Sequence, residues 1–422
     1  MGSKKYSGYK SFQYLEAGTD YILPPLERQI NRFPRYDFGL SKTQEEHVQE
    51  IIEKNIMISL QDSLMLFPEK GYKGPLPKND RRFTAYEAIT YAGLDCVCEG
   101  VWDSTWPTFM TELGMRFSDY AHQDFVIPCL KSEDVERAFR EGKCAILTDL
   151  GHADGMENDV DRIEIFQGLG IRRMGIVYSG SNALGGGSYE IKDGGLTNLG
   201  YDAVMRMNKV GMLIDVSHAG DVTAMETIQA SKDPVCISHR GSRNLNTVMP
   251  KRMAPDEVLQ ACAEKGGVVG VVVAGYGLRT KKHPDGSIEG FLEHMGHLID
   301  ILGIDHVGAG PDTIYTDHAE YYRNKAREQA KGGVGHYSRA EATDMWSELG
   351  SIVAGFDYVK GLESVTDFPN IIRGLVRDGY SDGEIAKVAG RNALRLLRKY
   401  SKLNDDWQLE FVRVFLRLKV FK

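Results

Sequence analysis

Two short apolar runs in this chain each stop on a histidine: Gly211-Met-Leu-Ile-Asp-Val-Ser-His218 and Pro234-Val-Cys-Ile-Ser-His239. Neutral imidazole is a good ligand for zinc and its neighbours, so two held at one place outline a metal site. Either histidine alone reads more simply as a hydrogen-bonded residue at a strand end; it is the pair that favours an ion. Between them, Val222, Met225 and Ile228 recur at helical spacing from Gly220 to Lys232. The segment therefore reads as strand, helix, strand, a parallel βαβ unit. Parallel neighbours carry both imidazoles to one carboxyl-terminal rim, where α/β barrels place their chemistry.

The same alternation runs through most of the chain. Apolar runs at Asn55–Asp62, Leu94–Val101, Lys143–Asp149, Met174–Tyr178, the two histidine runs, Gly266–Ala274 and His306–Asp312 predict eight strands. Helical patterns separate them, among them Ser132–Glu141, whose Ser-Glu-Asp-Val start is an N-cap pattern. Eight strands alternating with helices predict a (β/α)8 TIM barrel, an α/β fold. Residues 1–45 read as an N-terminal extension, 46–402 as the barrel with its closing helices, and 403–422 as a C-terminal tail.

Taking the residue at each strand's carboxyl end gives Asp62, Asp149, Tyr178, His218, His239 and Asp312. Mixed carboxylates and imidazoles suit zinc or a similar divalent ion. A bridging carboxylate flanked by others would suit two ions about 3.5–4 Å apart that activate a water for hydrolysis. Any one carboxylate could instead cap a helix; capping does not explain the set. Glu99 and Asp103 read as loop carboxylates, and His152 as a residue that hydrogen-bonds behind the ligands.

Bulk properties exclude several classes. A net charge of −8 without a dense basic patch gives no footprint for nucleic acid. No apolar run reaches membrane-spanning length and no signal-peptide core opens the chain. Six scattered cysteines, four in strand-like runs, read as small buried hydrophobes in a reducing, cytoplasmic setting. The expected partner is a small-molecule substrate, with a homodimer as the expected assembly.

From about Asn55 to Tyr400 the chain resembles the renal (membrane) dipeptidase family, zinc peptidases on amidohydrolase-type barrels. Leu213-Ile-Asp-Val-Ser-His218 and Ile237-Ser-His239 match its two histidine ligands, and Gly303–Asp312 matches the strand that ends on its catalytic, metal-binding aspartate. Lys143–His152 resembles its strand ending Glu-Gly-Gly-His, and Arg252-Met-Ala-Pro-Asp256 the segment whose arginine binds the substrate carboxylate. The resemblance implies a metal-activated water, Asp312 handling its proton, Arg252 clamping a carboxylate, and Asp62, Asp149, His218, His239 and Asp312 as ligands.

Three departures change the expectation. The family's first strand ends His-x-Asp, whereas this chain has Leu60-Gln-Asp62; its bridging glutamate aligns with the shorter Asp149; and its carbonyl-polarising histidine aligns with Tyr178, a weaker electrophile and a potential acid. The implied enzyme is a hydrolase of a small carboxylate-bearing amide. It should hold one ion tightly at the two histidines, with Asp149 as the favoured carboxylate ligand, zinc by donor type, and a second site weak or empty. A single-metal decarboxylase or isomerase, or a non-catalytic binding protein, stand as alternatives.

Overall fold

In a computed structural model of the protein, residues 8–27, 32–68, 81–101, 105–178, 180–247, 250–273, 279–315 and 358–401 are described. The strands are β1 (Ile58–Ser59), β2 (Met65–Leu66), β3 (Phe83–Thr84), β4 (Cys96–Val101), β5 (Val126–Pro128), β6 (Cys144–Leu150), β7 (Arg173–Gly175), β8 (Leu213–Asp215), β9 (Cys236–Arg240), β10 (Val268–Val271) and β11 (Val307–Ala309). Eight of them follow one another in parallel, in the order β1-β4-β6-β7-β8-β9-β10-β11. The last returns to the first: the Leu60 N–H donates to Ala309 O at 2.8 Å, and the Asp312 N–H to Gln61 O at 2.7 Å. The fold is the expected (β/α)8 barrel.

Two apolar layers hold it. The inner one joins Ile58, Leu60, Cys96, Cys98, Leu147, Leu213, Cys236 and Val268; the larger outer one lies between strands and helices. Leu60 fills the barrel opposite glycines. A Cβ on Gly308 would stand 2.9 Å from its Cδ1, and one on Gly270 3.1 Å. All six cysteines are free and buried.

Several boundaries differ from expectation. The fourth barrel strand is Arg173–Gly175, so Tyr178 lies beyond the strand in the following loop. Helix Trp106–Tyr120 was not foreseen, because Glu112 and Arg116 sit on its buried face beside Phe109, Leu113 and Tyr120 and break the apolar stripe. They bond each other at 2.6 Å, which compensates the burial. Strands β2, β3 and β5 are too short to show a period. Glu99 is not in a loop: it lies within β4, buried, accepting from the Leu64 N–H and the Tyr120 hydroxyl, with the Arg116 guanidinium 3.6 Å away. Asp103 and the tail from residue 402 lie outside the described residues.

The N-terminal segment lies on the helical layer, with Phe12 buried and its N–H donating to Asp119. The loop before His218's strand is tied to the helix after it. Asp193 accepts from the N–H groups of Val222 and Thr223 at the start of helix Asp221–Ala230, where a carboxylate meets the positive end of the helix dipole.

Candidate metal centre

His218 follows β8 by three residues and His239 lies within β9. Their Nε2 atoms converge to 2.8 Å. The hydrogen-bond network decides the tautomer of His239. Ser238 Oγ has one hydrogen, and Asp215 takes it in a very short contact with Oδ2. Ser238 Oγ must therefore accept from His239 Nδ1 at 2.7 Å, which leaves an unprotonated Nε2 facing His218. A carboxylate acting through a hydroxyl thus orients the imidazole from behind, as ligand histidines require. Burial holds both histidines well below the ordinary imidazole range, and the Arg252 charge adds to it. Neutral rings are the form that binds metal.

Asp312 brings its Oδ2 to 4.0 Å from His239 Nε2, with a quarter of its side chain exposed. Its backbone is left-handed at φ 58°, a conformation costly for a non-glycine residue, and held here by the bond to Gln61 O. Burial pushes its carboxyl up to about 7; Arg252 opposes this and Asp149 adds to it. Tyr178 lays its ring over His218, centroids 4.2 Å apart. His152 is buried with Nδ1 3.4 Å from Asp154, its ring 5.8 Å from that of Tyr178.

The other two carboxylates are already engaged. Asp62 is fully buried and accepts three hydrogen bonds: from Ser59 Oγ at 2.6 Å, and from the N–H and hydroxyl of Thr313 at 2.7 Å each. It ties the end of β1 to the segment after β11, and burial pushes its carboxyl up to about 7. Asp149 receives Arg173 Nη2 at 2.7 Å on its Oδ2. Arg252, 1% exposed, donates Nη1 to Ser217 O at 2.8 Å and Nη2 to His239 O at 3.0 Å. It braces both histidine-bearing strand ends with two of its five N–H donors.

Two residues of the site were missed in sequence. Asp215 sits one turn of chain before His218 and accepts from Ser217 and Ser238. Arg173 is the more consequential. Strand alternation offered a signal: of two successive arginines entering a barrel strand, one must point inward. Arg172 bonds the Leu130, Gln167 and Ile171 carbonyls, and Arg173 takes the inside.

By chemical type, two imidazoles and a carboxylate suit a divalent ion. His218, His239 and Asp312 are the donors that would hold it; a narrow cavity beside the two histidines, lined also by Gln61, Asp149, Asp215 and Ser217 but not by Asp312, leaves ≈ 10 Å³, about the space of one water or ion. A second ion would meet fewer free donors. Leu60 offers no donor, Asp149 faces a guanidinium, and Asp62 already accepts three hydrogen bonds. Among the described residues, no group of three or more His, Cys, Asp or Glu is gathered closely enough to ligate an ion without adjustment.

A parallel eight-stranded barrel with two histidines and an aspartate at its carboxyl rim has the architecture of the (β/α)8 enzymes, whose chemistry sits at that rim. The model of the membrane dipeptidase family, peptidase family M19, matches residues 115–318 and 349–410, more than half of the chain. The chain belongs to that family. It is similar to dipeptidase tcpJ of Claviceps purpurea, 27% identical over 272 residues, which are 64% of this chain and 54% of that protein. Dipeptidase 3 of Rattus norvegicus is 23% identical over 269 residues, 62% and 46% of the respective chains. The chain thus spans about half the length of these curated relatives. An amidohydrolase from Pseudomonas aeruginosa superposes with a TM-score of 0.69 at 27% identity, over 84% of this chain and 99% of its own. A metallo peptidase from Rhodobacter sphaeroides, solved with a phosphinate mimic of the dipeptide L-Ala-D-Ala, gives a TM-score of 0.61 at 18% identity, covering 82% and 99%; it supports the fold.

Proposed function

We propose that this chain is a metal-dependent hydrolase of a small, carboxylate-bearing amide, dipeptide-like in class, working with a single ion held by His218, His239 and Asp312. The observation that carries the reading is the convergence of the two Nε2 atoms to 2.8 Å beside Asp312. A nitrogen-nitrogen-oxygen set of this kind suits zinc. When bound, the ion would lower the pKa of a water and polarise a carbonyl.

The chain's own residues do the rest. Ser238 and Asp215 hold His239 in the tautomer whose Nε2 faces the site. Asp312, beside the histidines, accepts a proton from the attacking water and returns it to the leaving amine. Arg252 turns a remaining N–H donor toward the substrate carboxylate while its other donors brace the strand ends. Tyr178, its ring tilted over His218, donates a hydrogen bond from its phenol to the substrate carbonyl.

A second reading, a single-ion decarboxylase or isomerase, is favoured by the Asp149–Arg173 pair, because it occupies the carboxylate that a two-ion clamp on attacking and leaving oxygens would need. A small-molecule substrate, a homodimer and a reducing cytoplasmic setting complete the proposal. The six free, buried cysteines are consistent with the last, and no helix among the described residues is long and apolar enough to cross a membrane.

Elemental mass spectrometry on protein purified without chelator, followed by a panel of dipeptides and N-acyl amino acids, tests the reading. One ion per chain and release of free amine support it. Absence of any bound ion under excess zinc, manganese or iron would overturn it. Carbon dioxide release without amine would favour the second reading.

A further inference from the structure

Arg173 is among the largest fully buried side chains, at 1% exposure. Its guanidinium donates to three oxygens, from Leu60, Gln61 and Asp149, and lies beside a fourth, on Asp215. Nη2 stands 2.7 Å from Asp149 Oδ2, Nε lies 3.5 Å from Asp215 Oδ2, Nη1 donates to the Leu60 carbonyl and Nη2 also to Gln61 Oε1. The Leu60 contact is the informative one. It puts the cation at the backbone of the residue whose side chain, by the family resemblance, would have been a first-ion histidine. Asp149 is the carboxylate that would have bridged two ions.

We infer that Arg173 is a built-in cation: its guanidinium stands beside Asp149 and Asp215 in the place a first metal ion would take, so the chain carries one fixed organic charge and at most one exchangeable ion. The inference rests on the single-ion reading above for the second half of that statement. Two buried carboxylates need a compensating positive charge, and Arg173 supplies it permanently. Burial works against that charge, but Asp149 and Asp215 outweigh it and hold the group above its ordinary range. A guanidinium is always protonated and donates in a fixed plane. It can offset negative charge on a substrate, but it cannot ionise a bound water as a metal does. Leu60 and Arg173 are then two halves of one substitution: the lost imidazole leaves an apolar plug over Gly270 and Gly308, and the lost ion is replaced by an arginine from the neighbouring wall.

Metal stoichiometry decides it, read by elemental mass spectrometry after equilibration with excess zinc or manganese and removal of free metal. Wild-type protein should hold no more than one ion per chain. Arg173→Met combined with Leu60→His should gain one ion relative to wild type, with circular dichroism confirming the barrel. A wild-type chain that holds two ions with Arg173 in place overturns the inference. So does a folded double variant that gains none. If the double variant fails to fold, anomalous diffraction from metal-soaked wild-type crystals decides: a peak beside Asp149 and Asp62 overturns it, and a peak confined to His218 and His239 supports it. Wild-type protein without any ion sinks the histidine reading alone, since gain of an ion by the double variant would still sustain Arg173's role.

Discussion

His218 and His239 meet Nε2 to Nε2 at 2.8 Å, although 21 residues and a helix separate them in the chain. Because His239 presents a lone pair there, His218 must supply the proton between them, or an ion must take its place. Replacing both by alanine should abolish bound metal and leave the barrel folded, since neither ring belongs to the apolar layers. Metal content and far-ultraviolet circular dichroism check both halves. Retention of a full equivalent of metal would remove these residues from the site.

Ser238 links His239 to Asp215. Ser238→Ala breaks the link, frees the imidazole to change tautomer and leaves Asp215 short of a donor. Ion affinity should fall roughly 10–100-fold, read by competition with a chromogenic chelator. Unchanged affinity would mean that packing alone orients the ring.

Asp62 accepts three hydrogen bonds at the barrel seam. Asp62→Ala should cost about 1–3 kcal/mol of stability through unsatisfied buried donors, measured by chemical denaturation, with the ion count unchanged. Loss of the ion would show that Asp62 is a ligand after all.

Arg252 fills its place with a planar fork bonded to the Ser217 and His239 carbonyls. Arg252→Lys keeps the charge but not the fork. The expected result on an active substrate is a KM raised at least tenfold, with a smaller change for a substrate lacking its carboxylate. Equal effects on both would assign Arg252 to bracing alone.

Asp367 offers a pH signature away from the site. Burial pushes its carboxyl up to about 7, with Glu363 adding to it. Its unfolded value is near 4, so between roughly pH 4 and 7 the native state binds the extra proton. The stability this group contributes is present below that window and is lost as pH rises through it. Asp367→Asn keeps an oxygen for the Ser364 N–H and removes the ionisation. It should stabilise the protein by on the order of a few kcal/mol at pH 8 and change little at pH 4–5. Thermal unfolding across pH is the measurement, and a pH-independent difference would contradict the assignment.

What the sequence determined by itself was everything governed by local period and short range. Apolar runs separated by helical spacing specified eight parallel strands, and a parallel βαβ unit forces its two strand ends to one rim, so His218 and His239 were legible as a pair. Leu60 was legible as a non-ligand, because a hydrocarbon has no lone pair. Tertiary structure decided which charges face each other across the barrel. Arg173 and Asp149 are paired between adjacent strands, but Gln61 and the Leu60 carbonyl reach the same guanidinium only because β11 closes on β1. Asp62 and Thr313 likewise meet only at that seam. Side-chain alternation says that a residue points inward. What it meets there depends on the stagger with which the sheet closes, a property of all eight strands together and of no single stretch of chain.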